Sequence, residues 1–340
     1  MPATAAFPSL ADKLAFLAEP AHYPDPTRQV TAVETHMSWV FLTDAYAYKL
    51  KKPVRYDYLD YSTLAARRLD CEAELQLNRR LAPGVYLAVV PLALVAGRLG
   101  LESPGRPVEW LVKMRRLPAA RMLDELIRQR TVGEAEVRAL ARRLAALYAS
   151  AATEPIAADA YRQRLAEQIA DAFRELQRPE FGLPAPRLAY IAGAQSLFMQ
   201  RQAALFDARV AQGRIVEGHG DLRPEHVCLA DEPVVIDCPE FRRDFRILDP
   251  LDDLGYLALE CERLGMPEIG DWLLAGYAEA SGDAWPAPLL HFYQSGRASL
   301  RAKLAIWHLR DDGRHPPQKW VDVAHDYLHR AERHIEAALG

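Results

Sequence analysis

The sequence HGDLRPEHV at residues 219–227, followed by VVID at residues 234–237, is the most informative part of this chain. Short apolar runs beside both motifs predict β-strands, and the polar turn ADEP at residues 230–233 predicts a hairpin. Asp221 and Asp237 then stand near strand ends, where an acidic side chain points into the bordering cleft. With His226 they form a set that could hold a divalent ion and a hydroxyl nucleophile, as phosphoryl transfer requires.

The residues before this stretch predict a β-rich lobe that contains one helix. Strands are predicted at residues 29–34, 39–43, 45–50, 86–95, 97–101 and 108–114. The period becomes helical after Ser62, a predicted N-cap. The apolar face of that helix is predicted to carry Leu69, Ala73, Leu77 and Leu81.

From Pro118 onward the pattern is helical, apart from the strands predicted between residues 215 and 237. A doubly wound sheet would instead alternate strands and helices along the whole chain. We therefore predict an α+β chain with two lobes, a β-rich N-lobe over residues 1–116 and a helical C-lobe over residues 117–340. A cleft is expected near residues 114–118.

Several motifs together resemble the aminoglycoside phosphotransferase branch of the protein-kinase-like superfamily. HGD is intact at residues 219–221, VVID ends in an acidic residue, DDLG at residues 252–255 is similar to a downstream bracing element, and AYK ends at Lys49. The resemblance covers most of the chain from residue 29 and looks closest to an uncharacterised bacterial branch. It implies a protein-kinase-like fold with ATP bound between the lobes.

The resemblance also implies a role for each matching residue. Asp221 would orient or deprotonate the acceptor hydroxyl, and Asp237 with His226 would hold Mg²⁺ or Mn²⁺. His219 and Asp253 would support the catalytic loop. A bracing or capping role suits Asp253 better than a reacting one.

In the N-lobe, Lys49 would contact the phosphates of ATP. Glu74 on the following helix is the expected partner of Lys49, with Glu72 as the second choice. Met114 would belong to the hinge beside the nucleotide. A plainer interpretation treats Lys49, Lys51 and Lys52 as one solvated basic run at a strand end.

Two departures from the family pattern are present. No G-x-G-x-x-G loop lies between the first two strands, where residues 35–38 read THMS. His226 occupies the position where the family has asparagine. Because Mg²⁺ prefers oxygen ligands, three ligand arrangements are open: His226 could favour Mn²⁺, bind the ion through water, or leave the metal to Asp237 and Glu225. The alternative is a histidine that stabilises the loop. Glu225 is the neighbouring carboxylate and is expected to be solvated.

Arginines supply a candidate acceptor site. Arg242 follows Asp237 closely, and Arg297 and Arg301 are four residues apart on one helix and share a face. Arginine binds phosphate and carboxylate well, so this set predicts an anionic acceptor rather than a polycationic antibiotic. The alternative is that these arginines lie on the surface with their stems along apolar neighbours.

Composition sets the remaining expectations. The chain has 340 residues, a net charge of −4 and 50% hydrophobic residues, which excludes intrinsic disorder and disfavours nucleic acid as a partner. No apolar run reaches the roughly 18–20 residues of a membrane span, and the N-terminus does not resemble a signal peptide. We expect a cytoplasmic protein whose four cysteines are reduced.

The family resemblance adds a partner. Members of this bacterial branch are sometimes fused to a P-loop kinase-like domain. No GxxxxGK[ST] motif occurs here, so the stand-alone form is expected, with a functional link to a separate P-loop kinase-like protein.

Three functions remain open at this point. The first is an ATP-dependent small-molecule kinase that phosphorylates a hydroxyl group. The second is a nucleotide-binding pseudokinase with a regulatory role, because His226 replaces the asparagine. The third is a metal-dependent phosphohydrolase that uses His219, Asp221 and Asp237 and has no need of Lys49.

Overall fold

The computed structural model describes residues 7–56, 59–310 and 317–340. The chain forms two compact units. The sheet unit comprises Met1–Glu125 and Glu225–Phe245, and the helical unit comprises Leu126–Pro224 and Arg246–Gly340. The segment that carries His226 and Asp237 therefore belongs to the sheet unit, whereas Asp221 belongs to the helical unit.

The sheet unit is built on a six-stranded antiparallel sheet with the order β1-β2-β3-β8-β6-β7. Its strands are β1 (Thr31–Glu34), β2 (Ser38–Leu42), β3 (Tyr46–Lys51), β6 (Tyr86–Val95), β7 (Arg98–Leu101) and β8 (Arg106–Arg115). Two short pairs accompany the sheet, β4 (Arg55–Tyr56) with β5 (Leu59–Asp60), and β10 (Val227–Cys228) with β11 (Val234–Val235). Helices α1 (Leu10–Ala18) and α2 (Leu64–Asn78) complete this unit.

The two faces of β3 have different surroundings, because successive side chains of a strand point to opposite faces. Tyr48 and Leu50 lie in the apolar cluster that includes Leu17 and Val108. Lys49 and Lys51 share the other face with Ala47. The charged side chains of β3 therefore all lie on one face of the sheet.

Helix α2 buries a face that differs from the predicted one. Its buried residues are Arg67, Cys71, Glu74 and Asn78, whereas Leu69 is 66% exposed. The predicted Leu69 stripe is therefore wrong. The helix docks through charged groups that meet partners on the sheet, so apolar periodicity alone selects the wrong side. Thr63, rather than Ser62, is the N-cap, and its hydroxyl accepts from the Ala66 N–H.

A buried ion-pair triad ties α1, α2 and β8 together. The carboxylate of Glu109, on β8, accepts two hydrogen bonds from the Arg67 guanidinium, both at 2.8 Å. The same carboxylate accepts one from Lys13 of α1 at 2.9 Å. All three residues are buried, so both cations depend on the single Glu109 carboxylate for their charge partner.

The helical unit consists mainly of long helices packed around apolar clusters. Its helices are α4 (Glu134–Ser150), α5 (Ala158–Leu176), α6 (Ala185–Arg201), α7 (Ala203–Ala211), α8 (Pro250–Arg263), α9 (Glu268–Ser281), α10 (Ala287–Trp307) and α11 (Pro317–Leu339). Helix α3 (Leu123–Gln129) spans the division between the units. Strands β9 (Val216–Glu217) and β12 (Ile247–Leu248) pair beside the HGD motif. Among the described helices, none has the length and apolar character needed to cross a bilayer.

The predicted hairpin after the HGD motif is present. Strand β10 pairs with β11 in antiparallel register, with Val227 opposite Val235. Each of the two strands is two residues long. Val234 and Ile236 pack against the cluster under the sheet, which holds this segment on the sheet unit.

Candidate active site

Lys49 lies between two carboxylates. Its ammonium donates to Glu74 Oε1 at 2.9 Å and to Asp237 Oδ1 at 2.6 Å. Glu72, the second choice from the sequence, pairs with Arg68 on the exposed side of α2 instead. Burial alone would lower the pKa of Lys49, but Asp237, Glu74 and Glu240 raise it well above its ordinary value. The structure thus brings three predicted site residues together around one permanently charged ammonium.

A second lysine, not singled out from the sequence, extends this group. Lys51 Nζ donates to Glu74 Oε2 at 2.7 Å and contacts Asp70 at 2.6 Å and also Glu240. Tyr61 donates to Asp70 and, at 3.3 Å, to Glu240. We call the six charged residues the lysine–carboxylate cluster: Lys49, Lys51, Asp70, Glu74, Asp237 and Glu240. Two ammonium groups in this cluster face four carboxylates.

Asp237 has an unusual backbone conformation for a residue other than glycine. Its φ is +62°, in the left-handed region, which aspartate and asparagine tolerate better than most residues do. Its N–H donates to the Tyr86 hydroxyl at 3.1 Å, and the next N–H, of Cys238, donates to Asn78 Oδ1 at 2.8 Å. These bonds hold the turn that aims the Asp237 carboxylate at Lys49.

His226 lies on the other side of the Asp237 carboxylate. Its Nε2 is 3.5 Å from Asp237 Oδ2, and its side chain is buried. The His226 carbonyl accepts a backbone bond from Ile236 at 2.9 Å, which connects the histidine to the strand that precedes Asp237. Lys49 and His226 therefore lie next to different oxygens of the Asp237 carboxylate. Glu225, as expected, is exposed.

The donor set around Asp237 fits a divalent ion held together with nucleotide phosphates. The cluster carries excess negative charge, and the Asp237 side chain is 46% exposed. Mg²⁺ is usually held by one or two protein carboxylates together with phosphate oxygens and water. Among the residues that the structure describes, no group of three or more His, Cys, Asp or Glu side chains could hold a metal ion. A metal here would therefore need further oxygens, from water or from a bound phosphate.

The HGD loop belongs to the helical unit and is organised by Asp253 of α8. One carboxylate oxygen accepts the His219 N–H at 2.7 Å, and the other accepts the Gly220 N–H at 2.9 Å. Tyr148 also donates to Asp253, at 3.1 Å. Gly220 has φ +87°, a conformation that favours glycine. Asp253 thus braces the loop through its backbone, as expected from the sequence.

Asp221 lies at the end of this loop and is held by several contacts. Its Oδ1 accepts from Tyr256 at 3.3 Å and lies 3.1 Å from Arg223 Nε. Its N–H donates to His219 Nδ1 at 3.3 Å, and His219 itself is buried. The carboxylate is about one-third exposed, with 34% of its side chain accessible. Asp221 is therefore held in place while a part of it stays open to an incoming group.

The arginines predicted to bind an acceptor have carboxylate partners within their own units. Arg297 makes two bonds to Asp252, at 2.7 and 2.8 Å, and a third to the Gly220 carbonyl. Arg301 contacts the Tyr327 hydroxyl and Glu260. Arg242 is half-exposed beside Asp244. Arg297 is thus a further brace of the HGD loop, a role that spacing on the helix did not indicate.

Met114, the predicted hinge residue, ends the buried part of β8. It lies opposite Ala47 in the register of β3 and β8. Its side chain is in the apolar cluster that contains Cys71, Tyr86 and Val112. The structure therefore shows Met114 as a core residue, and a role beside a nucleotide stays a prediction.

Sequence comparison identifies relatives without a described activity. No protein-family model matches the chain. An uncharacterised protein of Mycobacterium tuberculosis is 34% identical over 277 residues, which cover 80% of this chain and 53% of the relative. The chain thus spans about half the length of the curated relatives it matches.

Solved structures show the fold. A choline/ethanolamine kinase family protein from Mesorhizobium loti is similar with a TM-score of 0.58 and 18% identity, over 96% of this chain and 99% of the other. A thermostable mutant of an aminoglycoside phosphotransferase gives a TM-score of 0.54 and 12% identity, over 93% of this chain and 96% of the other. The chain therefore has the kinase-like fold that these two proteins share. The predicted fold class, α+β with a β-rich and a helical lobe, is confirmed.

Proposed function

We propose that this protein transfers the γ-phosphate of ATP to a hydroxyl group of a small molecule. The observation that carries the proposal is the contact of Lys49 with both Glu74 and Asp237. A strand lysine fixed by a helix glutamate is the arrangement with which kinases hold nucleotide phosphates, and an adjacent aspartate supplies the metal ligand. The fold of the chain supports the same interpretation.

Each residue then has a defined task. Lys49 places a fixed positive charge on the phosphates, and Glu74 holds its ammonium in position. Asp237, with His226, would hold a divalent ion, which neutralises charge on the phosphate oxygens as it develops. Asp221 would accept or orient the proton of the acceptor hydroxyl.

The proposal limits the acceptor to a small-molecule alcohol. An anionic acceptor was predicted from Arg242, Arg297 and Arg301, but each of these contacts a carboxylate of the protein. Each of the three arginines therefore already has a carboxylate of the protein as an ion-pair partner. The pairing of these arginines therefore does not support a choice between anionic and neutral acceptors.

Titration calorimetry with ATP tests the proposal directly. The protein is titrated with ATP without metal, with Mg²⁺ and with Mn²⁺, and formation of ADP is then followed with a panel of alcohols. Binding that requires a metal, together with ADP formation that depends on an alcohol, is the expected result. Absence of ATP binding under all three conditions would contradict the proposal.

A nucleotide-binding pseudokinase is the second candidate, and the position of His226 favours it. Its Nε2 faces Asp237 Oδ2 at 3.5 Å, where it can act as a ligand or donate a hydrogen bond to the carboxylate. If it donates, it occupies the oxygen that a metal needs. A pseudokinase would bind ATP equally with and without metal and form no ADP with any acceptor.

Replacing His226 by asparagine separates the two candidates. An amide oxygen is a harder ligand than imidazole, so His226→Asn is expected to strengthen ATP binding in Mg²⁺ relative to Mn²⁺ by about tenfold. Calorimetry with each metal gives the ratio, and His329→Asn, an exposed position on α11, provides a control outside this site. An unchanged ratio would show that His226 is not a metal ligand.

A further inference from the structure

The buried position of Lys51 distinguishes it from Lys49. Only 1% of the Lys51 side chain is exposed, against 14% for Lys49. Its three carboxylate partners are also enclosed, with exposures of 13% for Asp70, 0% for Glu74 and 6% for Glu240. A lysine enclosed in this way has no surface to offer a nucleotide, so its effect on a substrate must pass through the residues it holds.

The two lysines connect the same two segments at successive points. Lys49 joins Glu74 of α2 to Asp237. Lys51 joins Glu74 and Asp70 of α2 to Glu240, three residues after Asp237. Helix α2 and the segment 237–240 are therefore linked twice through β3.

Glu74 is shared between the two links. Its Oε1 accepts from Lys49 and its Oε2 from Lys51, and the carboxylate is completely buried. Without Lys51, Oε2 would lose its strong donor in a place where an unpaired charge is costly. The carboxylate could then rotate toward Lys49 and change where that ammonium points.

We propose that Lys51 is a positioning residue: it sets the orientation of Glu74, and hence of Lys49, and it anchors the segment 237–240 through Glu240. This inference rests on the proposed phosphotransfer function, because that function gives Lys49 and Asp237 their tasks. Burial raises the pKa of Glu240, even though Lys51 and Lys49 oppose that rise. The contact with Lys51 thus favours the charged form of the carboxylate that serves as the anchor.

Lys51→Met is the main test, with two observables. Affinity for ATP with Mg²⁺ or Mn²⁺ is measured by calorimetry, and amide hydrogen exchange is measured by mass spectrometry. We expect the dissociation constant to rise at least about tenfold, through the loss of charge-assisted bonds. The amides of Asp237 and Cys238, bonded to Tyr86 and Asn78, should exchange faster than other protected amides of the sheet unit.

Two further variants keep the test decisive if Lys51→Met does not fold. Lys51→Arg retains the charge and is expected to keep part of the ATP affinity. Glu240→Gln keeps the volume and weakens only the anchor, so it should raise exchange at Asp237 and Cys238 and leave α2 protected. A purely structural role for Lys51 would lower the melting temperature without changing the ATP affinity of the folded protein.

Lys113→Met is the matched control. Lys113 lies on β8, on the other face of the same sheet, and pairs with Asp25 and Glu102. Its loss should leave both ATP affinity and exchange at residues 237 and 238 unchanged. Equal effects of Lys113→Met and Lys51→Met would overturn the inference, as would wild-type values for folded Lys51→Met.

The two observables separate this inference from the proposed function. If the wild-type protein binds no ATP with either metal, the proposed function fails. The exchange measurement still tests whether Lys51 anchors segment 237–240. If ATP binds and only Lys49→Met weakens it, the function stands and the role of Lys51 is refuted.

Discussion

Asp221→Asn is expected to lower kcat by at least about 100-fold and to leave ATP affinity within a factor of about two, because general acid–base groups typically contribute that much or more to rate. The asparagine oxygen can still accept from Tyr256, so the loop should keep its conformation. The measurements are ADP formation with an accepted alcohol and calorimetry with ATP.

The control for this variant is Asp271→Asn, which changes an exposed carboxylate of α9 in the same unit. It should leave both kcat and ATP affinity unchanged. A turnover rate near the wild-type value in Asp221→Asn would show that this carboxylate does not act on the acceptor hydroxyl. The assignment of the HGD loop as the catalytic loop would then be wrong.

Asp237→Asn is expected to remove the metal-dependent part of ATP binding, with a loss of affinity of at least about tenfold in Mg²⁺ or Mn²⁺. The substitution removes the charge that faces both Lys49 and His226. Asparagine tolerates a φ of +62°, so the turn should survive, whereas alanine would add backbone strain. Calorimetry with and without metal measures the effect.

Asp231→Asn is the comparison for this second variant, because Asp231 is an exposed residue between β10 and β11 of the same hairpin. It should bind ATP as the wild-type protein does. If Asp237→Asn retains metal-dependent binding at the wild-type affinity, the metal site lies elsewhere. The proposed roles of Asp237 and His226 would then have to be withdrawn.

The parts of the site that were predictable from sequence are those whose residues lie close together in the chain or at motif positions. The HGD motif and VVID fall within 20 residues and predicted the hairpin between β10 and β11. Lys49 was found from its place near the predicted end of a strand, although β3 continues to Lys51. Lys49 pairs with Glu74, the first choice, and not with Glu72, the second. The apolar face predicted for α2 was nevertheless wrong.

The role of Lys51 was not predictable for a physical reason. In the sequence it stands in a basic run with Lys49 and Lys52, which is typical of a solvated strand end. Its partner Glu240 is 189 residues away in the chain. Only folding of the sheet unit brings the two residues together. A buried ion pair also adds no apolar residue to the sequence pattern, so hydrophobic periodicity cannot identify either partner.

The contacts of Arg297 illustrate the same limit. Two arginines four residues apart predicted a shared helix face that could bind an anionic acceptor. In the structure Arg297 is buried and holds Asp252 and the Gly220 carbonyl. The helix spacing indicates which residues of α10 share a face. It does not indicate that the Asp252 carboxylate on α8 pairs with Arg297.

The triad of Lys13, Arg67 and Glu109 has a practical consequence for anyone who shortens this protein. A chain trimmed to begin after α1 would lack Lys13 and leave Glu109 with Arg67 alone. Removing one partner of a buried ion pair typically costs about 3–5 kcal/mol, a large share of a domain's stability. A shortened chain should therefore still include α1, because replacing Glu109 to compensate for the loss of Lys13 would leave the buried Arg67 guanidinium without its carboxylate.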